Sequence, residues 1–130
     1  ILKKIKTINS QIKIFFSSFV PINLEKFDLS KKYLIFSGIG NPNSFKNLLI
    51  KNNFNIINEI IYPDHFSYNQ NDIDSIKQKA KLLNARIITT EKDFSKVSKL
   101  DYDEIDYLET NFEIEDKVDL INFLKRKINE

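Results

Sequence analysis

The chain has no cysteine, no methionine and no tryptophan, and among its 130 residues only two are glycine and one is histidine, His65. Without cysteine there is no disulfide, no thiolate metal ligand and no sulfur nucleophile. This fits a reducing compartment. One histidine and scattered carboxylates give no metal-ligand spacing. No apolar run approaches the roughly 18 residues that span a bilayer, and no secretory signal peptide is visible. A net charge of +2 is too near neutral to suggest a nucleic-acid partner. The lack of methionine, with Ile1 leading the chain, leads us to expect a segment of a longer protein.

What is present is a hydrophobic fraction of 42%, arranged in periodic blocks, which fits one soluble domain with a real core. Charge is uneven. Residues 1–32 carry seven lysines and two acids, a balance of +5, and residues 33–130 carry 13 basic and 16 acidic residues, a balance of −3. Such a basic leading segment is either a solvated linker or a contact for an anionic membrane surface.

Residues 1–32 read as a linker segment with one strand at about 11–20, "QIKIFFSSFV", ended by Pro21. From 33 onward the rhythm changes. "YLIFS" (33–37) is a short buried strand, and the turn "GIGNP" follows it. Asn41 then caps a helix with Pro42 at its first position. "FNIINEII" (54–61) is the next strand. A helix from about Asn71 carries Ile73, Ile76, Ala80 and Leu83 at helical spacing. "RIITT" (86–90), a short helix at "EKDFSKV", a strand near 105–109 and a last helix over roughly 115–128 complete the pattern. Strands alternating with helices predict an α/β fold with a mostly parallel sheet flanked by helices over 33–130.

Three segments break the plain pattern: "SGIGNP" (37–42), "YPDHFSY" (62–68) and "TTEKD" (89–93). Each follows a strand and precedes a helix, so all three should meet at the carboxyl edge of the sheet, where open α/β sheets place their ligand crevice. Gly38 and Gly40 form a GxG turn without the third glycine of a dinucleotide fingerprint, and residues 38–46 lack the Lys-Ser/Thr of a phosphate loop. A tight turn is the plain reading, although a helix start at Asn41 could face an anion. Thr90 and Asp93 match a capping box, and Glu91 with Lys92 reads as a solvated pair. His65 is either an inert loop residue or, with Asp64 to orient it, a general base for an alcohol, since an imidazole titrates at about 6.5.

The run "YLIFSGIGNPNSFKNLL", then "YPDHFSYNQNDI", then "ARIITTEKD", preceded by "PINLEKF…LSKK", resembles the C-terminal half of the tetraacyldisaccharide 4'-kinase family of lipid A biosynthesis. The likeness covers residues 12 to about 97. It implies an ATP- and Mg2+-dependent kinase at the cytoplasmic face of the inner membrane. That enzyme phosphorylates the 4'-hydroxyl of tetraacyldisaccharide 1-phosphate to give lipid IVA. It also implies two α/β lobes joined by a two-stranded linker, with the nucleotide in the N-terminal lobe. The family's Pro-Asp-His histidine, matched here by His65, pairs with an aspartate of that lobe, and Asp64 has a supporting role.

The P-loop lobe is expected to be missing from this chain, and with it the phosphate loop, the magnesium carboxylates and the main catalytic aspartate, on which phosphoryl transfer depends. The partners implied are therefore that lobe, the lipid disaccharide and, peripherally, the membrane surface. The chain alone is expected to be inactive and to bind no cofactor tightly. The competing expectation is a non-catalytic α/β module that binds an anion or a protein, either a relic or the partner of a split gene.

Overall fold

A computed structural model describes residues 1–129; Glu130, the last residue of the predicted lobe, lies outside the described residues. The chain opens with helix α1 (Leu2–Ile8) and strand β1 (Ser17–Pro21). A short 3-10 turn at Leu24–Lys26 leads to β2 (Lys32–Ser37), α2 (Pro42–Lys51), β3 (Asn55–Ile61), α3 (Gln70–Leu83), β4 (Arg86–Thr90), α4 (Glu91–Val97) and β5 (Ile105–Leu108). Strand β6 (Thr110–Ile114) and helix α5 (Lys117–Ile128) follow.

Strands β2 to β5 form one sheet in the order β3-β2-β4-β5. Each neighbouring pair is parallel, as the alternation of strands and helices predicts. Both faces are covered, and β2 shows how. Tyr33 and Ile35 point into a cluster with Phe45 and Leu49 of α2, Phe27 and Phe54. Leu34 and Phe36 point the other way, onto Ile73, Ile76 and Ala80 of α3 and Val97 of α4. A strand buried on both sides reads as a continuous apolar run, which is why "YLIFS" has no polar alternation. Each of the buried Leu, Ile, Val and Phe side chains among these contributes about 1.5–3 kcal/mol by its burial.

Local chemistry sets the helix starts. Asn41 Oδ1 accepts the Ser44 N–H at 3.2 Å, and Pro42 occupies the first turn of α2. At α3 the cap is Asn69, one position before the helix, in a reciprocal capping box with Asp72. Apolar spacing alone places this start near Asn71, because the cap lies outside the periodic stretch.

The region before residue 33 differs from expectation in two ways. The strand forms only at Ser17–Pro21, and residues 12–16 hold no regular structure. A strand persists only where a partner takes its backbone groups, and that partner is β6, five residues long, in a separate two-stranded sheet. Residues 2–8, read as plain linker, form α1, which buries none of its residues. By compactness the chain divides into Pro21–Asn111, which holds the parallel sheet, and a second unit made of Ile1–Val20 with Phe112–Glu130. The last helix thus groups with the leading residues, whereas the alternation of strands and helices predicts it in the lobe from residue 33. Within that second unit Phe15 packs on Phe123 and Phe19 on Phe112, with ring centroids 5.7 and 5.6 Å apart. Lys13 pairs with Asp119 at 2.6 Å.

Candidate functional site

The parallel sheet brings the ends of β2, β3 and β4 to one edge, and three loops meet there. Tyr62 N–H donates to Ser37 O at 2.8 Å, extending the β2–β3 ladder into the first two loops. Thr89, fully buried, donates its hydroxyl to Phe36 O at 2.7 Å and ties β4 to β2.

Asp93 is the polar centre beneath this edge and is 0% exposed. Its Oδ2 accepts the Gly38 N–H at 2.9 Å and the Thr90 hydroxyl at 2.8 Å. Its Oδ1 pairs with Lys96 Nζ at 3.0 Å. Thr90 Oγ1 in return accepts the Asp93 N–H at 3.1 Å and caps α4. Capping was the expected role of this pair. The structure adds that the carboxylate, instead of closing a reciprocal box on Thr90 N–H, crosses to the glycine turn. Gly38 has no room for a side chain: a Cβ would lie 3.0 Å from Tyr68 Oη, 3.2 Å from Pro63 O and 3.3 Å from Asp93 Oδ1. The "GxG" is therefore a close-approach turn whose first N–H is already bonded to a carboxylate of the same chain.

The loop after β3 is built on its aromatic residues. Tyr62 stacks on Phe66 at 4.5 Å, and Tyr68 meets both rings edge-on at 5.1 Å and Phe36 at 5.6 Å. These rings anchor the loop and leave Asp64 and His65 at its tip. The Tyr68 hydroxyl is buried beside Asp93 and reaches no partner in hydrogen-bond geometry. Burial, and then the Asp93 charge, hold this phenol well above its usual range, so it stays protonated.

Phe66 N–H bonds to Pro63 O at 3.1 Å, which makes residues 63–66 a tight turn. His65 is its third residue with φ +60°, a left-handed conformation in which histidine, asparagine and aspartate are enriched among non-glycine residues. The turn directs the imidazole outward, 78% exposed, with Nε2 3.7 Å from Asp64 Oδ2. Asp64 Oδ1 accepts the His65 N–H at 2.9 Å and lies 3.4 Å from Lys92 Nζ. Partial desolvation would raise the Asp64 carboxyl, but the Lys92 hydrogen bond and the charges of His65 and Lys92 outweigh it and hold it below the usual value.

The structure thus brings together Gly38, Gly40, Asp64, His65, Thr90, Lys92 and Asp93. Asn41 is engaged in capping α2. Glu91 is exposed in the first turn of α4, and Lys92 pairs with Asp64 across the edge. Tyr68 and Lys96 belong to the same network and were not singled out from the sequence; the only available signal was the aromatic spacing of "YPDHFSY". Among the described residues no group of three or more His, Cys, Asp or Glu could hold a metal ion, and no helix is long and apolar enough to cross a membrane. An open cavity of about 770 Å³, lined by Lys77, Lys81, Arg86, Glu104 and Asp106, lies where β4 and β5 begin, away from the three loops.

The family described as tetraacyldisaccharide-1-P 4'-kinase matches residues 4–129. The tetraacyldisaccharide 4'-kinase of Pelagibacter ubique (strain HTCC1062) is 42% identical over 130 residues, all of this chain and 41% of that protein. The Rickettsia bellii (strain OSU 85-389) enzyme of the same name is 44% identical over 70 residues, 54% of this chain and 22% of that protein. The Rickettsia typhi (strain ATCC VR-144 / Wilmington) enzyme is 41% identical over 95 residues, 73% of this chain and 27% of that protein. No solved structure matches. The chain spans about two fifths of the length of the Pelagibacter relative. By the family match over nearly its whole length, the chain belongs to the tetraacyldisaccharide-1-P 4'-kinase family.

Proposed function

We propose that this chain is the C-terminal part of a kinase that moves the γ-phosphoryl group of ATP to the 4'-hydroxyl of tetraacyldisaccharide 1-phosphate, giving lipid IVA. The observation that carries the reading is the Pro63-Asp64-His65 turn, projecting a solvent-facing imidazole from the carboxyl edge of a parallel sheet in a chain of this family. Its reaction belongs at the cytoplasmic face of the inner membrane, where such a lipid acceptor is reached from the aqueous side.

ATP and magnesium supply the phosphoryl group and neutralise its charge. The described residues do not fit the metal: no three or more of their Asp, Glu or His side chains group to hold one, and the glycine turn gives its Gly38 N–H to Asp93. We therefore assign phosphate and metal binding to the P-loop lobe of the longer protein, together with an aspartate that pairs with His65. This chain contributes the imidazole. His65 accepts the proton of the attacking 4'-hydroxyl or steadies the aspartate that does, and Asp64 fixes its backbone. The unit Pro21–Asn111, which holds the parallel sheet, supplies the scaffold.

The test is phosphorylation of tetraacyldisaccharide 1-phosphate by the longer protein that contains this chain, beside the 130-residue chain alone. Transfer by the former and none by the latter is expected. Turnover of ATP by the isolated chain would overturn the division of labour. No transfer by the longer protein would overturn the reading.

A further inference from the structure

We propose that Lys92 is a positioning residue for His65, acting through the Asp64 carboxylate; this rests on the kinase reading above. Lys92 stands on the first turn of α4. The next residue, Asp93, is wholly buried and bonded to Gly38 and Thr90, so the backbone that carries Lys92 is fixed relative to β2 and β4. From there the ammonium lies 3.4 Å from Asp64 Oδ1. That same oxygen accepts the His65 N–H at 2.9 Å. One carboxylate oxygen therefore links α4 to the residue whose φ is +60°.

The other Asp64 oxygen faces Gly40, where an added Cβ would lie 3.3 Å away. Asp64, its side chain 44% exposed, thus has the glycine turn on one side and Lys92 on the other. Little packs against the His65 ring, which is 78% exposed, so the direction of the imidazole is set mainly by its backbone. That backbone is set by the Pro63–Phe66 turn and by Asp64. The groups facing Asp64 are the Lys92 ammonium and the His65 imidazole, which carries charge only when protonated, and Lys92 helps keep the carboxylate ionised and able to accept both bonds.

A half-exposed ion pair adds little to stability. Its effect should appear in geometry instead, since a displacement of about 1 Å at a reacting group costs up to about a hundredfold in rate. Losing Lys92 loosens the turn without displacing it fully, so a loss of about tenfold in kcat is expected.

Two measurements test this. In the 130-residue chain, the His65 amide followed by nitrogen-15 NMR through an acid titration reports protonation of Asp64. Lys92→Met should move that midpoint upward, and Lys92→Arg should leave it low. In the longer protein, Lys92→Met should lower kcat about tenfold with KM for ATP and the melting temperature unchanged, and Lys92→Arg should restore most of the rate. An unmoved amide midpoint, or an unchanged kcat, overturns the role of Lys92. If the wild-type longer protein shows no lipid phosphorylation, the kinase reading fails, and the amide titration alone then decides whether Lys92 holds Asp64.

Discussion

Asp93→Ala probes the polar centre that joins the loops. The carboxylate is fully buried and satisfies the buried Gly38 N–H at 2.9 Å, the Thr90 hydroxyl at 2.8 Å and Lys96 Nζ at 3.0 Å. Alanine leaves the Gly38 N–H without an acceptor, which costs about 1–3 kcal/mol. Lys96 has a quarter of its side chain exposed and can turn to water, so its share is smaller. Breaking a buried pair costs about 3–5 kcal/mol, and solvent access to Lys96 places this case near the lower end, about 3 kcal/mol. At about 4 °C per kcal/mol for a chain of this size, the melting temperature should fall by about 12 °C. Asp93→Asn keeps an acceptor for Gly38 and should lose about half as much. Urea titration followed by circular dichroism gives both values. A cost under about 1 kcal/mol for alanine, or equal costs for alanine and asparagine, would refute the assignment of Asp93 as the bond that ties the glycine turn to α4.

Other substitutions separate the parts of the scaffold. Gly38→Ala should destabilise more than Gly40→Ala, because its Cβ meets the Pro63 carbonyl and the buried Asp93 whereas that of Gly40 meets only the Asp64 side chain; paired melting curves decide the order. Asn69→Ala removes the capping box of α3 and should cost about 1 kcal/mol in chemical denaturation. Ile76→Ala, at a fully buried position facing the sheet, should cost about 2–5 kcal/mol. Asp64 and Asp28 both have folded-state carboxyls below the usual value, Asp28 chiefly through the Ser30 hydroxyl and Asp64 through Lys92 and His65 against a desolvation that opposes it. A depressed carboxyl adds stability above its unfolded value of about 3.9, and that stability fades as pH falls below it. Wild-type stability should therefore drop faster below about pH 4 than that of Asp64→Asn.

The parallel sheet and its loop-bearing edge were legible because short apolar runs alternate with helix-period stretches, and that order leaves few topologies open. The meeting of "SGIGNP", "YPDHFSY" and "TTEKD" followed from the same order. What pattern could not reach were bonds between residues far apart in the chain. Asp93 looked like a cap because Thr90 stands three positions before it, and nothing local shows that its carboxylate reaches Gly38, fifty-five residues away. Lys92 looked solvated because its partner Asp64 sits in another loop, twenty-eight residues away. The change of sheet between β5 and β6 falls inside "IDYLETNFEI", a stretch with no glycine or proline to mark it, so one strand was read there where two form. Helix α1 buries no residue, and its Lys-rich sequence gave no core face to read.

The most direct measurement is phosphoryl transfer from ATP to tetraacyldisaccharide 1-phosphate by the longer protein carrying His65→Ala, beside wild type, at saturating concentrations of both substrates. Loss of a positioned acid-base group lowers kcat by about 10²–10⁴-fold. A fall in that range, with the melting temperature held because the imidazole is mostly solvent-exposed, is the predicted result. A kcat within about twofold of wild type, far short of that loss, would contradict the claim that this turn delivers the catalytic imidazole.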